Sequence, residues 1–337
     1  MPKDNENIRL PLLGPVEPSE PQGFLPEQMI RCEECLRANP PTRINCLYCN
    51  VPLPVTESSA RLRKPILRPT EKHELGYNTI ILPHEDLVPA QVLSDAAAFL
   101  KLKEEDLERI LAERVALPVA RTASREESEV IFHRLQELGL RVFTLRDESS
   151  VRRVRSLSFD ESGLVLNPGQ TTNEVDLLWS DIVLLVPGRL VEKRIEVKEV
   201  KTRRAENEIL DASELFSDEA VIDLYAATYP GTWRISATGF DFSCLETDKT
   251  LLARENITRL QQLLVTKAGT ARLDDSYKRL RPLLDLVWVP EQETKSSGWR
   301  RERPGKLSLG MATIRSNENQ FTRYSQLRYY ITTHELT

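Results

Sequence analysis

Residues 31–50 read RCEECLRANPPTRINCLYCN, and this stretch decides how the start of the chain folds. It contains two Cys-x-x-Cys pairs, Cys32 with Cys35 and Cys46 with Cys49, separated by ten residues. Each pair forms a tight turn that points two thiolates at one ion, and ten residues are enough to bring the second turn round to the first. The spacing therefore predicts one structural zinc ion in a tetrahedron of four sulfur atoms, with an iron site or a redox-active dithiol as the alternative.

The cysteine cluster resembles two kinds of zinc module. Its spacing Cys-x2-Cys-x3-Asn-x6-Cys-x2-Cys, with Asn39 after the second ligand and Arg43 before the third, is similar to the Ran-binding-protein type of zinc finger. Members of that family bind single-stranded RNA, ubiquitin or partner proteins. The tryptophan that the family carries before its first cysteine is Ile30 here, which leaves Tyr48 as the aromatic side chain for stacking on bases.

The prolines around the cluster make it equally similar to the small zinc ribbons that head many bacterial multidomain proteins. Pro40 and Pro41 lie in the connecting loop, and Pro52-Leu53 follows the last cysteine. In those proteins the ribbon is a protein-docking module. We favour this interpretation over RNA binding, because one tyrosine offers little stacking surface.

Composition and charge limit the classes of function. The chain has 337 residues, enough for two ordinary domains and a small module. Apolar residues make up 40% and the net charge is −5, so binding to nucleic acid or to anionic lipid requires a local basic patch. There is no run of the roughly 18 apolar residues that a transmembrane helix needs, and the polar N-terminus indicates no secretory signal. We therefore expect a cytoplasmic protein, in which paired cysteines bind metal.

Changes in composition divide the chain into five predicted segments. They are a flexible leader (1–28), a zinc ribbon (29–53), a basic proline-containing linker (54–74), an α/β domain (75–148) and a β-rich domain with a C-terminal extension (150–337). The leader and the linker show no sustained helix or strand period, whereas apolar residues recur at regular spacing from residue 77 onwards. The predicted fold class is multidomain α+β.

The segment 75–148 predicts the element order β-α-α-β-α-β. Ser124 followed by Glu127 is a capping-box pattern, and Gly139 supplies a left-handed residue, so the third helix has a predicted start and end. Pro118 predicts that the second strand lies at the edge of its sheet. This order, with the sequences KEEDL at 103–107, TASREE at 122–127 and LGLRV at 138–142, resembles the C-terminal domain of the bacterial ribosomal stalk protein.

The segment 150–337 predicts a meander of short antiparallel strands closed by an amphipathic helix. The predicted strands span 155–159, 164–167, 175–179, 182–186, 190–200, 221–228, 232–237, 307–315 and 321–332. Pro-Gly pairs at 168–169, 187–188 and 230–231 separate strands, and the polar stretches 202–218 and 291–304 predict loops. Helices are predicted over 249–265 and 274–288. With LWSDIVLL at 178–185, this order resembles a pleckstrin-homology-like barrel, a fold that serves mostly as a binding scaffold.

Two further patterns point to chemistry outside the cysteine cluster. Asp181, Glu196 and Lys198 resemble the carboxylate–lysine set of restriction-endonuclease-like nucleases, in which carboxylates hold Mg²⁺. The basic clusters at 152–155 and 299–306 are candidates for gripping the phosphates of nucleic acid or of an anionic lipid. The alternative is that these residues bind no ligand, because a charged surface strand and solvated loops have the same composition.

The sequence as a whole favours a non-enzymatic, zinc-binding adaptor or regulatory protein that acts through protein–protein interaction. No motif identifies the partner or the oligomeric state. A nucleic-acid-binding protein is the alternative, and a metal-dependent nuclease ranks below it. The fifth cysteine, Cys244, has apolar neighbours and is expected to be buried as a small hydrophobic residue.

Overall fold

The computed structural model describes residues 23–63, 75–84, 86–148, 150–169, 174–202, 208–303 and 306–336. The chain forms two compact units, Met1–Arg63 and Lys64–Thr337. The fold is mixed α+β with several sheets, one of which curls into a half-barrel. Most of the predicted leader (1–22) and the second half of the predicted linker (64–74) lie outside the described residues. No helix within the described ranges is long and apolar enough to cross a membrane.

The first unit is a small cysteine-rich fold followed by one helix. Strands β1 (Ile30–Arg31) and β2 (Ala38–Asn39) pair in antiparallel orientation, and helix α1 spans Glu57–Leu62. The helix occupies the first part of the stretch predicted as a linker. It begins at Thr56, whose hydroxyl accepts a hydrogen bond from the backbone N–H of Ser59 at 3.3 Å. The Ser59 hydroxyl accepts a hydrogen bond from the backbone N–H of Thr56 at 2.9 Å, so the backbone N–H groups of both residues have a partner at the start of the helix.

Arg63 ties helix α1 to the cysteine-rich segment. Its side chain is buried, although the sequence places it among the basic residues of a linker. The guanidinium donates to three backbone carbonyl oxygens, those of Pro41 (3.1 Å), Leu53 (3.4 Å) and Pro54 (3.1 Å). Buried charges are stable only when they are hydrogen-bonded in this way, so Arg63 is a structural residue of the first unit.

The first part of the second unit has the predicted order β-α-α-β-α-β. Its elements are β3 (Tyr77–Ile81), α2 (Ala90–Leu100), α3 (Glu104–Ala112), β4 (Leu117–Thr122), α4 (Arg125–Glu137) and β5 (Val142–Arg146). The strands form an antiparallel sheet in the order β4-β3-β5, so the strand that contains Pro118 lies at an edge as predicted. The hydroxyl of Ser124 caps α4 by accepting from the N–H of Glu127 at 3.2 Å, and Gly139 ends it at φ +80°.

The rest of the second unit contains ten strands and three helices in the described ranges. The strands are β6 (Val151–Val154), β7 (Ser156–Phe159), β8 (Gly163–Asn167), β9 (Val175–Leu178), β10 (Ile182–Thr202), β11 (Glu208–Ala226), β12 (Thr232–Ser236), β13 (Arg272–Leu273), β14 (Glu291–Arg303) and β15 (Lys306–Ser316). The helices are α5 (Ala253–Lys267), α6 (Tyr277–Leu284) and α7 (Glu318–Thr333). One sheet has the order β14-β15-β10-β11-β12-β6, with β13 beside β10, and another has the order β7-β8-β9.

Four sequence predictions in this region are wrong. The stretches predicted as loops over 202–218 and 291–304 form strands wherever the structure describes them, namely parts of β10 and β11 and all of β14. The Pro-Gly pair at 187–188 does not end a strand, because β10 runs through it and pairs with β11 on both sides of it. The stretch 321–332 is not a strand but most of α7.

Two hydrophobic cores hold the second unit together. The first joins side chains of the α/β segment, such as Ile80 and Leu107, to residues from the C-terminal part, such as Trp288 and Tyr324. The indole N–H of Trp288 donates to the side-chain oxygen of Asn78 at 2.7 Å inside this core. The predicted α/β and β-rich segments therefore share one core.

The second core is enclosed by the two sheets of the β-rich segment and by α5. It contains Leu166 from β8, Trp233 from β12 and Leu260 from α5, all buried. The amphipathic helix thus packs over the strands as the sequence predicted. The two sheets remain separate in the described part of the chain, so they do not join into one closed barrel.

Candidate metal centre

The two Cys-x-x-Cys turns have the same backbone geometry. In the first, the N–H of Cys32 donates to the carbonyl oxygen of Arg37 at 3.0 Å, and the N–H of Leu36 donates to that of Cys32 at 2.9 Å. In the second, the N–H of Cys46 donates to the carbonyl oxygen of Val51 at 2.8 Å, and the N–H of Asn50 donates to that of Cys46 at 3.0 Å.

The residue that follows each turn is left-handed, with φ of 58° at Leu36 and 60° at Asn50. Asparagine adopts this conformation readily, but for leucine it is strained. The strain indicates that the surrounding contacts fix the turn, since an isolated leucine would avoid that conformation.

The four cysteine thiols converge on one point. Their sulfur atoms all lie within 4.8 Å of one another. Two pairs are closer, with 3.5 Å between the sulfurs of Cys32 and Cys49 and 3.5 Å between those of Cys35 and Cys46. A tetrahedral zinc site with Zn–S bonds of about 2.3 Å places its sulfurs about 3.8 Å apart. The cluster is therefore compatible with a metal ion such as zinc, and no disulfide joins these cysteines.

Hydrogen bonds around the sulfurs orient the ligands. Cys32 and Cys46 are buried, and Asn39 is buried beside them. The Asn39 amide nitrogen lies 3.5 Å from the sulfur of Cys46, and the backbone N–H of Tyr48 donates to the same sulfur at 3.4 Å. Donors of this kind fix the direction of a thiolate and stabilise its charge, so their positions suit metal ligation.

The thiol pKa values reflect this crowding. Burial raises the pKa of Cys46, but hydrogen bonds from the backbone N–H groups of Cys49 and Tyr48 outweigh it and lower that pKa to about 6. For Cys49 a hydrogen bond from the Val51 N–H lowers the pKa, but desolvation and the neighbouring thiols raise it to about 12. Four thiolates at this spacing repel one another, so a cation is needed to hold all of them deprotonated.

The arrangement suits a structural metal better than a catalytic one. Four protein ligands fill a tetrahedral ion, which leaves no position for an activated water or a substrate. The buried apolar core of this unit consists of Cys32, Cys46 and Leu53, with Ile30 and Cys35 packed against it. A core this small cannot stabilise a fold alone, so metal binding would supply most of the folding free energy.

Large apolar side chains project from the cysteine turns into solvent. The exposed fractions are 64% for Leu36, 53% for Leu47 and 56% for Tyr48. The guanidinium of Arg37 lies 4.7 Å from the centroid of the Tyr48 ring, so the tips of the two turns are adjacent. We call Leu36, Leu47 and Tyr48 the exposed tips.

The structure does not bring the nuclease-like residues together. Asp181 precedes β10 and accepts a hydrogen bond from the hydroxyl of Thr228 at 3.3 Å. Glu196 lies on β10 and forms an ion pair with Arg194 at 2.7 Å, and Lys198 follows two residues later on the same strand. At about 3.3 Å per strand residue, Asp181 and Glu196 are on the order of 45 Å apart along the strand. These three residues cannot share one magnesium ion.

The two basic clusters differ in their surroundings. In the cluster at 152–155, the Arg152 guanidinium lies 4.9 Å from the Trp233 ring centroid, and Arg153 pairs with Glu318 at 3.2 Å. Both contacts are made within the chain, although the two arginine side chains are exposed. In the cluster at 299–306, residues up to 303 belong to β14 and Lys306 begins β15, while 304–305 lie outside the described residues.

Cys244 is a half-buried residue against the second core, close to the prediction of a buried small side chain. Burial raises the pKa of its thiol to about 11, so it stays protonated at neutral pH. Thiolate, and not thiol, is the reactive form, which argues against a nucleophilic role.

Fold and site together define a mixed α+β protein that carries a closed, metal-compatible four-cysteine centre near its N-terminus. No protein-family model, curated protein or solved structure matches the chain. The resemblances to a Ran-binding-protein zinc finger, a bacterial zinc ribbon, the ribosomal stalk protein and a pleckstrin-homology-like domain therefore stay predictions.

Proposed function

We propose that this chain is a non-enzymatic adaptor or regulatory protein that holds one structural zinc ion and docks a protein partner through its N-terminal unit. The observation that carries this proposal is the set of exposed tips on a metal-compatible scaffold. Single exposed apolar residues are common, but a rigid support lowers the entropy lost when they bind. Tyrosine is also among the residues that contribute most to protein interfaces. The cytoplasmic location stays a prediction.

Zinc is the metal that suits four cysteine thiolates in a closed tetrahedron. We expect elemental analysis of the purified full chain to find about one zinc per molecule. Cys46→Ser removes a buried ligand, so it should release the metal. Iron in place of zinc, or no metal in freshly prepared protein, would contradict the proposal.

The docking role can be tested by affinity capture with the full chain as bait. The double variant Leu47→Ser/Tyr48→Ser removes two exposed tips but no cysteine, and zinc analysis confirms that the centre is intact. Leu25→Ser is the matched control, because Leu25 is also 64% exposed in the same unit. We expect a protein that wild type and Leu25→Ser recover and the double variant loses, and direct binding of that purified protein with the same ranking. Equal recovery by all three baits would refute docking through the tips.

Nucleic-acid binding is the second candidate, favoured by the basic cluster at 299–306. Phosphate contacts make affinity fall steeply with salt. A gel shift with single-stranded RNA, repeated with Arg300→Ala/Arg301→Ala, distinguishes the two candidates. Binding that depends on salt and on these arginines would favour nucleic acid, whereas no shift at low salt rules it out. The nuclease receives no support from the separation of Asp181 and Glu196.

A further inference from the structure

A cavity of about 620 Å³ lies on strands β10 and β11, beside helices α5 and α6. It belongs to the second unit and is distinct from the cysteine centre. Its volume falls within the range of small-molecule sites, which is roughly 300–1,000 Å³. Its walls come mainly from two strands and two helices that are packed into the hydrophobic cores. The shape of the cavity is therefore set by the folded framework and not by the conformation of a loop.

The charged side chains that line the cavity are mainly basic. They are Arg189 on β10, Asp218 on β11, Arg254 on α5, Asp275 before α6, and Lys278 and Arg281 on α6. Arg189 and Asp218 neutralise each other through a hydrogen bond of 2.7 Å between Nε and Oδ1. Three cations and one carboxylate remain, so the cavity keeps an excess of about two positive charges.

The remaining cations are available to a ligand. Within the described part of the chain, the side chains of Arg254, Lys278 and Arg281 make no hydrogen bond or ion pair. Arg254 and Lys278 are exposed at the cavity, and Arg281 is half-buried. The hydrogen bond from Arg189 lowers the pKa of Asp218, and the charges of Arg254 and Arg281 lower it further, so the Asp218 carboxylate lies within electrostatic range of both guanidinium groups.

The other walls of the cavity are apolar or neutral. Val191 and Ile222 come from the two strands, Ile257 from α5 and Tyr277 from α6. On α5, Arg254, Ile257 and Gln261 recur at helical spacing and present one face to the cavity. The cavity thus combines a cationic part with an apolar part, as expected for a ligand that has an anionic group on a carbon framework.

We propose that this cavity binds a small soluble organic phosphate, with its phosphomonoester group held by Arg254, Lys278 and Arg281 and its carbon framework against the apolar wall. A phosphomonoester carries nearly two negative charges at neutral pH, which matches the charge excess better than a single carboxylate does. Guanidinium groups also bind phosphate oxygens in pairs. This site goes beyond the docking function and does not depend on it.

The test is calorimetric titration of the full chain at low salt with three probes: phenyl phosphate, inorganic phosphate and benzoate. We expect saturable binding of one phenyl phosphate per chain, at least tenfold tighter than that of the other two probes. Arg254→Gln and Arg281→Gln should each weaken it at least tenfold. Lys267→Gln is the matched control, because it removes the same charge from α5 about 20 Å from Arg254 and should change the affinity less than twofold.

Three results would overturn the proposal. The first is no saturable heat with phenyl phosphate. The second is equal affinity in wild type and both arginine variants while circular dichroism shows that all are folded. The third is binding to vesicles that contain 20% phosphatidic acid without binding to phenyl phosphate, which would assign the phosphomonoester to a lipid surface instead of a small molecule.

Discussion

At the scale of single residues, Asn39 connects both cysteine turns. Its amide nitrogen donates to the backbone carbonyl of Arg37 in the first turn at 2.9 Å. Its side-chain oxygen accepts from the backbone N–H of Leu47 in the second turn at 2.8 Å. The same amide nitrogen lies beside the sulfur of Cys46. One side chain therefore holds the two ligand pairs at the separation that a single ion requires.

We predict that Asn39→Ala weakens metal binding without removing it. The four ligands remain, but the turns lose the group that orients them, so affinity should fall about 10- to 100-fold. Competition with a chromophoric chelator measures this change, and elemental analysis should still find one metal. Asn45→Ala is the control, since Asn45 is exposed in the same unit. Equal affinity in both variants would show that Asn39 has no orienting role.

Asp147 is a buried carboxylate that joins three elements. It follows β5, and its oxygens accept hydrogen bonds from Asn78 at 2.7 Å and from Arg121 at 2.6 Å. Arg323 of α7 lies 3.3 Å away. Burial raises the pKa of Asp147, but the charges of Arg323 and Arg121 outweigh burial and hold that pKa below its usual value. The carboxylate thus stabilises the packing of α7 against the α/β segment.

The stability of the second unit should depend on this carboxylate and on pH. A carboxyl group with a lowered pKa stabilises the fold above its unfolded pKa of about 4, and the contribution is lost as pH falls through the folded value. We expect Asp147→Asn to lower the free energy of unfolding by about 3 kcal/mol at pH 7, because Arg121 and Arg323, which are largely shielded from solvent, lose the carboxylate between them. The difference from wild type should shrink near pH 3.

Urea unfolding at both pH values measures the effect of Asp147→Asn. Asp106→Asn is the control, because Asp106 pairs with the exposed Arg109 at 3.2 Å and a surface pair contributes less than about 1 kcal/mol. A difference between Asp147→Asn and wild type that stays constant with pH would mean that the charge of Asp147 is not responsible.

At the scale of elements, strand β10 explains why a Pro-Gly pair does not always end a strand. Pro187 and Gly188 pair with Ile222 and Val221 of β11. A Cβ atom on Gly188 would lie 2.2 Å from the ring of Phe321 on α7. The glycine is therefore needed so that α7 can approach the sheet, and it does not serve as a turn residue.

Gly188→Ala should destabilise the protein by about 1–3 kcal/mol, because the added methyl group overpacks the contact with Phe321. In a Phe321→Leu background the same change should cost less, and a double-mutant cycle by chemical denaturation measures the coupling. Gly269→Ala is the control, as no atom lies within 4 Å of a Cβ placed there. Additive effects of the Gly188 and Phe321 changes would contradict a direct clash.

Sequence patterns identified the helices and strands that have one apolar face and one polar face. Helix α4 has a cap at Ser124, a left-handed Gly139 and one apolar face, so its bounds were predictable. Residues 212–218 of β11 are all exposed, and such a strand needs no apolar alternation. Its polar composition therefore resembled that of a loop.

Helix α7 was missed for the opposite reason. It is buried on most sides, so polar residues such as Ser325 and Arg328 are buried together with Phe321 and Leu327. Arg328 is neutralised by Asp274, which lies 54 residues earlier in the chain, between β13 and α6. A helix without a polar face has no 3.6-residue contrast, and the local pattern could not indicate it.

The two candidate sites also differ in how far the sequence alone could predict them. The convergence of the four cysteines was predictable, because they lie within one short stretch and their spacing carries the geometry. The cationic cavity was not, because Arg189, Arg254 and Arg281 belong to three elements that only the fold brings together.

At the scale of the whole molecule, the two units depend on different sources of stability. The first has a core of two cysteines and Leu53, supported by Arg63. The second has two extended hydrophobic cores that contain no part of the cysteine centre. The apolar surface buried in these two cores is large enough to stabilise the second unit without a metal ion. The first unit buries too little apolar surface to fold in the same way.

Removal of the metal should therefore unfold one unit and spare the other. We expect a strong chelator, added to the full chain, to abolish the hydrogen-exchange protection of amides in 30–63, because the metal–sulfur bonds that join the two turns are lost and the small core cannot hold them together. Amides of β3, α5 and α7 should keep their protection. Cys46→Ser without chelator should reproduce the pattern, and Asn45→Ala should not. Loss of protection in α7 in parallel with 30–63 would show that the second unit also needs the metal, and unchanged protection throughout would show that the cysteine turns fold without it.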